Sequence, residues 1–306
     1  MRDGIISEIY NTMERNKNVY LLTGDLGYNT LEKIEKDFPD RFIDVGVAEQ
    51  NMIGIASGLA LSGKKVYIYS IIPFLIMRCY EQIRNDICYH DLDITLVGIG
   101  AGLAYGILSN THFALEDIAI LRPLPNMTIF SPADEVEAIE GMKYLSSHPH
   151  PTYVRVGLRK EAVVSPQNYI FHFGKASLMQ KGVDVCIFTT GSITDEVIRA
   201  SKLLTLNKKI TPTIINLHTI KPLDKNTILK EALKASIIFT IEEHGKIGGL
   251  GSAISDIISE SAHPIRVIKI GTTDVTSKIV GTRAYLRKIL GLDAEGIYKT
   301  IVEHLK

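Results

Sequence analysis

Glu49 is the side chain best placed to do chemistry. It lies in the run Phe42-Ile43-Asp44-Val45-Gly46-Val47-Ala48-Glu49-Gln50-Asn51-Met52, where an apolar, β-branched stretch passes into a segment rich in Ala and Gly. A carboxylate beyond the carboxyl end of a strand sits where open α/β sheets bind ligands, and a helix N-terminus favours its charged form. Taken alone, such an acid would do no more than satisfy the first helix amides. Other chemical signals fail on spacing. Gly98-Ile99-Gly100-Ala101-Gly102-Leu103 carries leucine where a dinucleotide fingerprint needs its third glycine, and Gly249-Leu250-Gly251 carries Ile254 there. Near Gly58 and Gly63-Lys64, Lys65 replaces the hydroxyl of a P-loop, and the segment follows a helix rather than a strand. His90 and His112 form no metal-ligand set with a Cys or a carboxylate pair.

The elements that must position Glu49 alternate along the whole chain. Strand-like runs fall at 19–23, 42–45, 65–69, 93–98, 127–130 and 152–156, with helical patterns at 51–61, 74–89 and 134–146. After Ser165-Pro166 the rhythm restarts: strands at 185–189, 211–216, 236–241 and 265–270, helices at 194–204, 225–234, 251–259, 283–290 and 294–305. This alternation predicts α/β architecture with two doubly wound, mostly parallel sheets, at 1–165 and 166–306.

Composition narrows the function classes. The 306 residues are 45% hydrophobic and 22% charged, with 34 basic and 34 acidic side chains. A neutral chain lacks the basic surplus of a nucleic-acid binder. It also gains little charge repulsion against association, which suggests a subunit that leans on a partner. The acids in Met1-Arg2-Asp3-Gly4-Ile5-Ile6-Ser7-Glu8 interrupt any signal-peptide core, and the apolar stretch 66–77 is too short to span a bilayer. Cys79, Cys88 and Cys186 have no metal-like spacing, so reduced thiols and a cytoplasmic setting are expected.

Four segments of the first half belong together: Leu22-Thr23-Gly24-Asp25-Leu26-Gly27, the 38–52 stretch around Glu49, Arg78-Cys79-Tyr80-Glu81-Gln82-Ile83-Arg84-Asn85-Asp86, and Leu115-Glu116-Asp117-Ile118-Ala119 with Leu124-Pro125-Asn126-Met127. Ile220-Lys221-Pro222-Leu223-Asp224, Glu242-Glu243-His244 and Gly248-Gly249-Leu250-Gly251-Ser252-Ala253 extend the set. Over nearly its whole length the chain resembles the C-terminal half of a transketolase, a pyrimidine-binding domain followed by a C-terminal domain. The resemblance implies a thiamine diphosphate enzyme that moves a two-carbon ketol unit from a ketose to an aldehyde. It implies that Glu49 bonds N1′ of the cofactor's aminopyrimidine, that Phe74 stacks on that ring, that Arg78 and Asp25 also serve the cofactor, and that His112 acts in catalysis beside Glu49. The Gly-Asp-Gly that holds metal and diphosphate in this family does not occur in these residues. The resemblance therefore implies a partner subunit of the N-terminal type, an α2β2 assembly, and Mg or Ca held by the partner.

Three positions depart from the family pattern. The run Leu108-Ser109-Asn110-Thr111-His112-Phe113 stands where Asp-Gly-x-Thr-His-Gln is usual, Gly100 replaces a histidine, and Leu158 replaces a phosphate-gripping arginine that Arg155 or Arg159 could supply after a small shift. These changes predict a nonphosphorylated substrate, or one whose anion lies elsewhere. Rival readings are a 1-deoxyxylulose-5-phosphate-synthase-like protein, a 2-oxo acid dehydrogenase E1 β subunit, and a noncatalytic scaffold subunit.

Overall fold

The computed structural model describes residues 1–157, 160–273 and 279–305. Twelve strands are present among them: β1 Val19–Thr23, β2 Phe42–Asp44, β3 Lys65–Ile71, β4 Ile94–Ile99, β5 Thr128–Phe130, β6 Thr152–Val156, β7 Ser177–Gln180, β8 Asp184–Thr189, β9 Thr213–Asn216, β10 Thr219–Lys221, β11 Ala235–Gly245 and β12 Val267–Thr272. They form a seven-stranded sheet, β10-β5-β6-β4-β3-β1-β2, and a five-stranded sheet, β12-β11-β8-β9-β7. All pairings are parallel except β10 on β5 and β7 on β9.

The apolar runs of the sequence explain this arrangement, since parallel strands covered on both faces are apolar on both. Along β3, Val66 and Ile68 enter one core with Met52, Ile53 and Ala56 of helix Glu49–Leu61. Tyr67 and Tyr69 enter the opposite core with Ile5, Ile9 and Met13 of helix Arg2–Arg15 and Ala138 and Met142 of helix Glu135–Ser147. In the second sheet Val185 and Ile187 pack to one side of β8, and Cys186 and Phe188 to the other.

Strand β7 and the short helices Glu32–Asp37 and Asp117–Leu121 are absent from the sequence expectations, and three larger features also differ from them. Helix Arg2–Arg15 precedes the first strand, where the residue pattern predicts none. The single helix expected at 74–89 is two π-helical turns, Pro73–Met77 and Ile83–Cys88, around a short helical segment Tyr80–Gln82. Strand β10 leaves the second half of the chain and pairs antiparallel with β5, Thr219 opposite Phe130, so the two sheets are stitched together.

Candidate functional site

Strand β1 pairs with β2 on one side and β3 on the other, so the chain order reverses there. In open α/β sheets the crevice beyond the carboxyl ends at such a reversal is where ligands bind. The loops after β1, β2, β3 and β4 carry Asp25, Glu49, Phe74 and Gly100 to this edge. The Asp44 carboxylate accepts from the Asp25 and Gly46 amides at 2.8 and 2.9 Å, tying the first two loops together. Only glycine permits their approach: a Cβ on Gly24 would lie 2.9 Å from the Gly46 carbonyl oxygen and 4.0 Å from Glu49 Cγ.

Glu49 is the first residue of its helix, after an Ala48 cap that offers no side-chain acceptor. Its side chain is 2% exposed. One carboxyl oxygen accepts from Arg78 Nη1 at 2.5 Å, and the other makes no hydrogen bond to a described residue. The π-helical turn explains the pairing: Arg78 N–H donates to Pro73 at 3.3 Å, five residues back, and the wide turn lays the Arg78 guanidinium 4.8 Å from the Phe74 ring centroid. Such turns recur at functional sites. Gln50 Nε2 donates to the Arg78 carbonyl at 3.1 Å, fixing that turn from the Glu49 side.

The His112 ring meets Phe74 edge-on at 5.1 Å. Its Nδ1 lies 2.9 Å from Thr111 Oγ1, and desolvation pushes its pKa below the usual histidine value, so the ring is neutral at neutral pH. The turn that presents it, Gly106–Thr111, is broken at Ser109, held at φ 64°, ψ −163°, a region populated almost only by glycine. Asp25 stands on the rim, exposed, at φ 54°, with its carboxylate 3.4 Å from the Tyr28 hydroxyl. Glu49, Arg78, Phe74 and His112 thus form one connected group, and Asp25 is on its edge. Gln50, Gly24 and Tyr105, whose ring is 6.2 Å from that of His112, complete the surroundings. Sequence reasoning gave them no role, although Gly24 and Gln50 lie within two of the strings that carry the resemblance.

Arg155 does not take the place of a phosphate-binding arginine. It is 4% exposed and forks onto Asp117, Nε at 2.7 Å and Nη2 at 3.3 Å, while Nη2 also donates to the Ala114 and Glu243 carbonyls. Leu158 and Arg159 lie outside the described residues. The chain's own side chains fit the pyrimidine half of a thiamine site: a dry carboxyl with one oxygen uncommitted, beside an aromatic face. They do not fit the metal half, for no cluster of three His, Cys, Asp or Glu among the described residues could hold an ion.

A buried carboxyl bonded at one oxygen thus meets an aromatic face at the switch point of a parallel sheet. Residues 1–160 match the family model for the transketolase pyrimidine-binding domain, and residues 174–297 that for the transketolase C-terminal domain. The chain is 34% identical to one of the subunits of the apulose-4-phosphate transketolase of Phocaeicola vulgatus, covering 100% of this chain and 97% of that one. It is 33% identical to the 6-deoxy-6-sulfo-D-fructose transketolase subunit SqwH of a Clostridium species, covering 99% and 94%. A solved split-gene transketolase, described as an inactive β4 tetramer, superposes with a TM-score of 0.87 at 31% identity over 99% and 96% of the two chains. This chain belongs to the transketolase family. Among the described residues no helix is long and apolar enough to cross a membrane.

Proposed function

We propose that this chain is the C-terminal subunit of a two-chain, thiamine-diphosphate-dependent transketolase-like enzyme, dividing near residue 165 into pyrimidine-binding and C-terminal domains and working as an α2β2 heterotetramer in the cytoplasm. When bound, the cofactor supplies the nucleophilic carbon that a ketol transfer requires. Glu49 holds a proton at the pyrimidine ring nitrogen, a task suited to a dry carboxyl that keeps one oxygen uncommitted. Arg78 fixes the carboxyl's orientation, Phe74 offers the ring a stacking face, and Asp25 closes the rim. His112, neutral and beside Phe74, donates to or accepts from a substrate oxygen as charge develops there. Metal, Mg or Ca, and diphosphate are held by an N-terminal-type partner carrying Gly-Asp-Gly. The substrates are sugars handled without a phosphate grip from Arg155.

The observation that carries this reading is the Glu49 carboxyl, buried yet bonded at one oxygen only. It is tested by titrating thiamine diphosphate into the chain alone, the chain with its partner, and the Glu49→Gln complex, followed by assays for ketol transfer. The wild-type complex is expected to bind cofactor and transfer ketol, the chain alone to do neither, and the Glu49→Gln complex to lose transfer by about 10²–10⁴-fold. Unimpaired turnover in Glu49→Gln would leave only a scaffold role, and carbon dioxide release from pyruvate would move the assignment to a decarboxylating relative.

A further inference from the structure

Gly100 follows β4 at φ 89°, and the Tyr105 ring folds back over it. A Cβ on residue 100 would lie 2.3 and 2.4 Å from ring carbons Cε2 and Cδ2, so Tyr105 and a side chain at position 100 exclude each other. The ring packs on the Tyr69 and Ile99 side of the first sheet. It also stands next in a row of rings and planes leading out from the proposed cofactor pocket: Glu49, Arg78, Phe74, His112, Tyr105. Its hydroxyl hydrogen-bonds to no described residue. Burial pushes the phenol above its usual pKa, with the Arg2 charge acting the other way, so it keeps its proton and can donate across the working pH range. On the turn that follows, the exposed side chains of Ile107 and Leu108 carry no hydrogen-bonding group.

We infer that Tyr105 is a specificity-determining residue: its ring shortens the cleft over Gly100, and its hydroxyl donates to an oxygen on the far part of the acceptor aldehyde's chain. This rests on the ketol-transfer reading above. The oxygen read by the phenol belongs to a hydroxyl or to a phosphate ester, which present the same acceptor chemistry.

The test uses the complex with its partner and compares wild type, Tyr105→Phe and Tyr105→Val on acceptor aldehydes of two to five carbons, free and phosphorylated. Tyr105→Phe is expected to raise KM by about tenfold for acceptors with a distal oxygen, with little change in kcat and none for glycolaldehyde. Whichever series, free or phosphorylated, suffers the larger change identifies the oxygen. Tyr105→Val is expected to shift relative kcat/KM toward the longer acceptors. Gly100→Ala, made alone and with Tyr105→Val, adds a coupling measurement. The cost of alanine at φ 89° is common to both backgrounds and cancels, so a milder loss of stability in the double variant reports the ring's occupation of that space. Equal effects on every acceptor, or none, together with no coupling, would overturn the inference while leaving ketol transfer intact. A wild-type complex that transfers ketol to no acceptor would instead overturn the reading beneath it.

Discussion

Two buried glutamates, Glu49 and Glu243, are alike in exposure and opposite in company. Glu243, on β11 and 3% exposed, accepts from the Leu103 amide at 2.8 Å, from Arg283 Nε at 2.9 Å and Nη2 at 2.8 Å, and from both Nε and Nη2 of Arg287. Arg283 reaches on to Glu161 and Ser192, both at 2.6 Å. Burial alone would raise the Glu243 pKa, but the two guanidiniums win and pull it to about 2. Among the described residues Glu49 pairs with Arg78 alone, itself 43% exposed. A carboxylate whose acceptor sites are filled is a fixed anion that binds structure together. Glu49 keeps one oxygen without a donor among the described residues. Burial alone therefore does not define a carboxyl's setting; the charge of the donors that face it and the oxygens they occupy do.

The sharpest way to break this contrast is to make the same change at both residues. Glu49→Gln should cut turnover of the reconstituted complex by about 10²–10⁴-fold while leaving the denaturation midpoint close to wild type. Glu243→Gln takes the shared carboxylate from two buried guanidiniums, leaving Arg283 with Glu161 and Arg287 with Glu196, and should cost up to about 3 kcal/mol in denaturant unfolding, with turnover per folded complex little changed. Similar stability losses at both sites would erase the distinction.

A third buried acid, Glu137, sharpens it through pH. Its donors are neutral: the Ala133 amide at 2.8 Å, Asn216 Nδ2 at 2.9 Å to both oxygens, and the Tyr169 hydroxyl at 2.8 Å. Among the described residues no cation pairs with it, so burial dominates and raises the pKa to about 7. The folded state thus prefers the protonated acid, and this contribution is full below the unfolded value of 4.5 and disappears as pH rises through about 7. Glu243 has the opposite sign, its contribution present above 4.5 and lost as pH falls toward about 2. Denaturation curves from about pH 4.5 to 8 should show a loss of about 3 kcal/mol that Glu137→Gln abolishes.

Arg78→Ala removes the one cation of the Glu49 pair and should lower kcat by about tenfold or more, the worth of a charge-assisted hydrogen bond, with kcat recovered in part by Arg78→Lys. The smallest effect is expected at the turn before His112. Ser109→Gly relieves a glycine-only conformation and should raise stability by about 1 kcal/mol in thermal melts.

The sheet interiors and the position of Glu49 were legible because periodicity and a single contiguous string carry them. Strand β3 reads as a β-branched and aromatic run, and Glu49 is announced by its neighbours in sequence. What escaped depends on contacts made at long range. Arg155 is held by Asp117, 38 residues away, and by the Glu243 carbonyl, 88 residues away, so its commitment to structure has no local signal. The three-residue β10 becomes a strand only because Phe130 is there to pair with it. The π-helical turns keep helical spacing in the sequence and differ only in hydrogen-bond reach. Helix Arg2–Arg15 has a mean composition too polar to stand out, although Ile5, Ile9 and Met13 repeat every four residues.

Because β10 closes the β5 edge of the larger sheet, a fragment trimmed near residue 165 would carry a bare ladder of amides and carbonyls along β5. Raw edges of this kind recruit other strands. Such a fragment would be prone to clumping even with every side chain of the Glu49 pocket in place, so the pocket is best studied in the uncut chain.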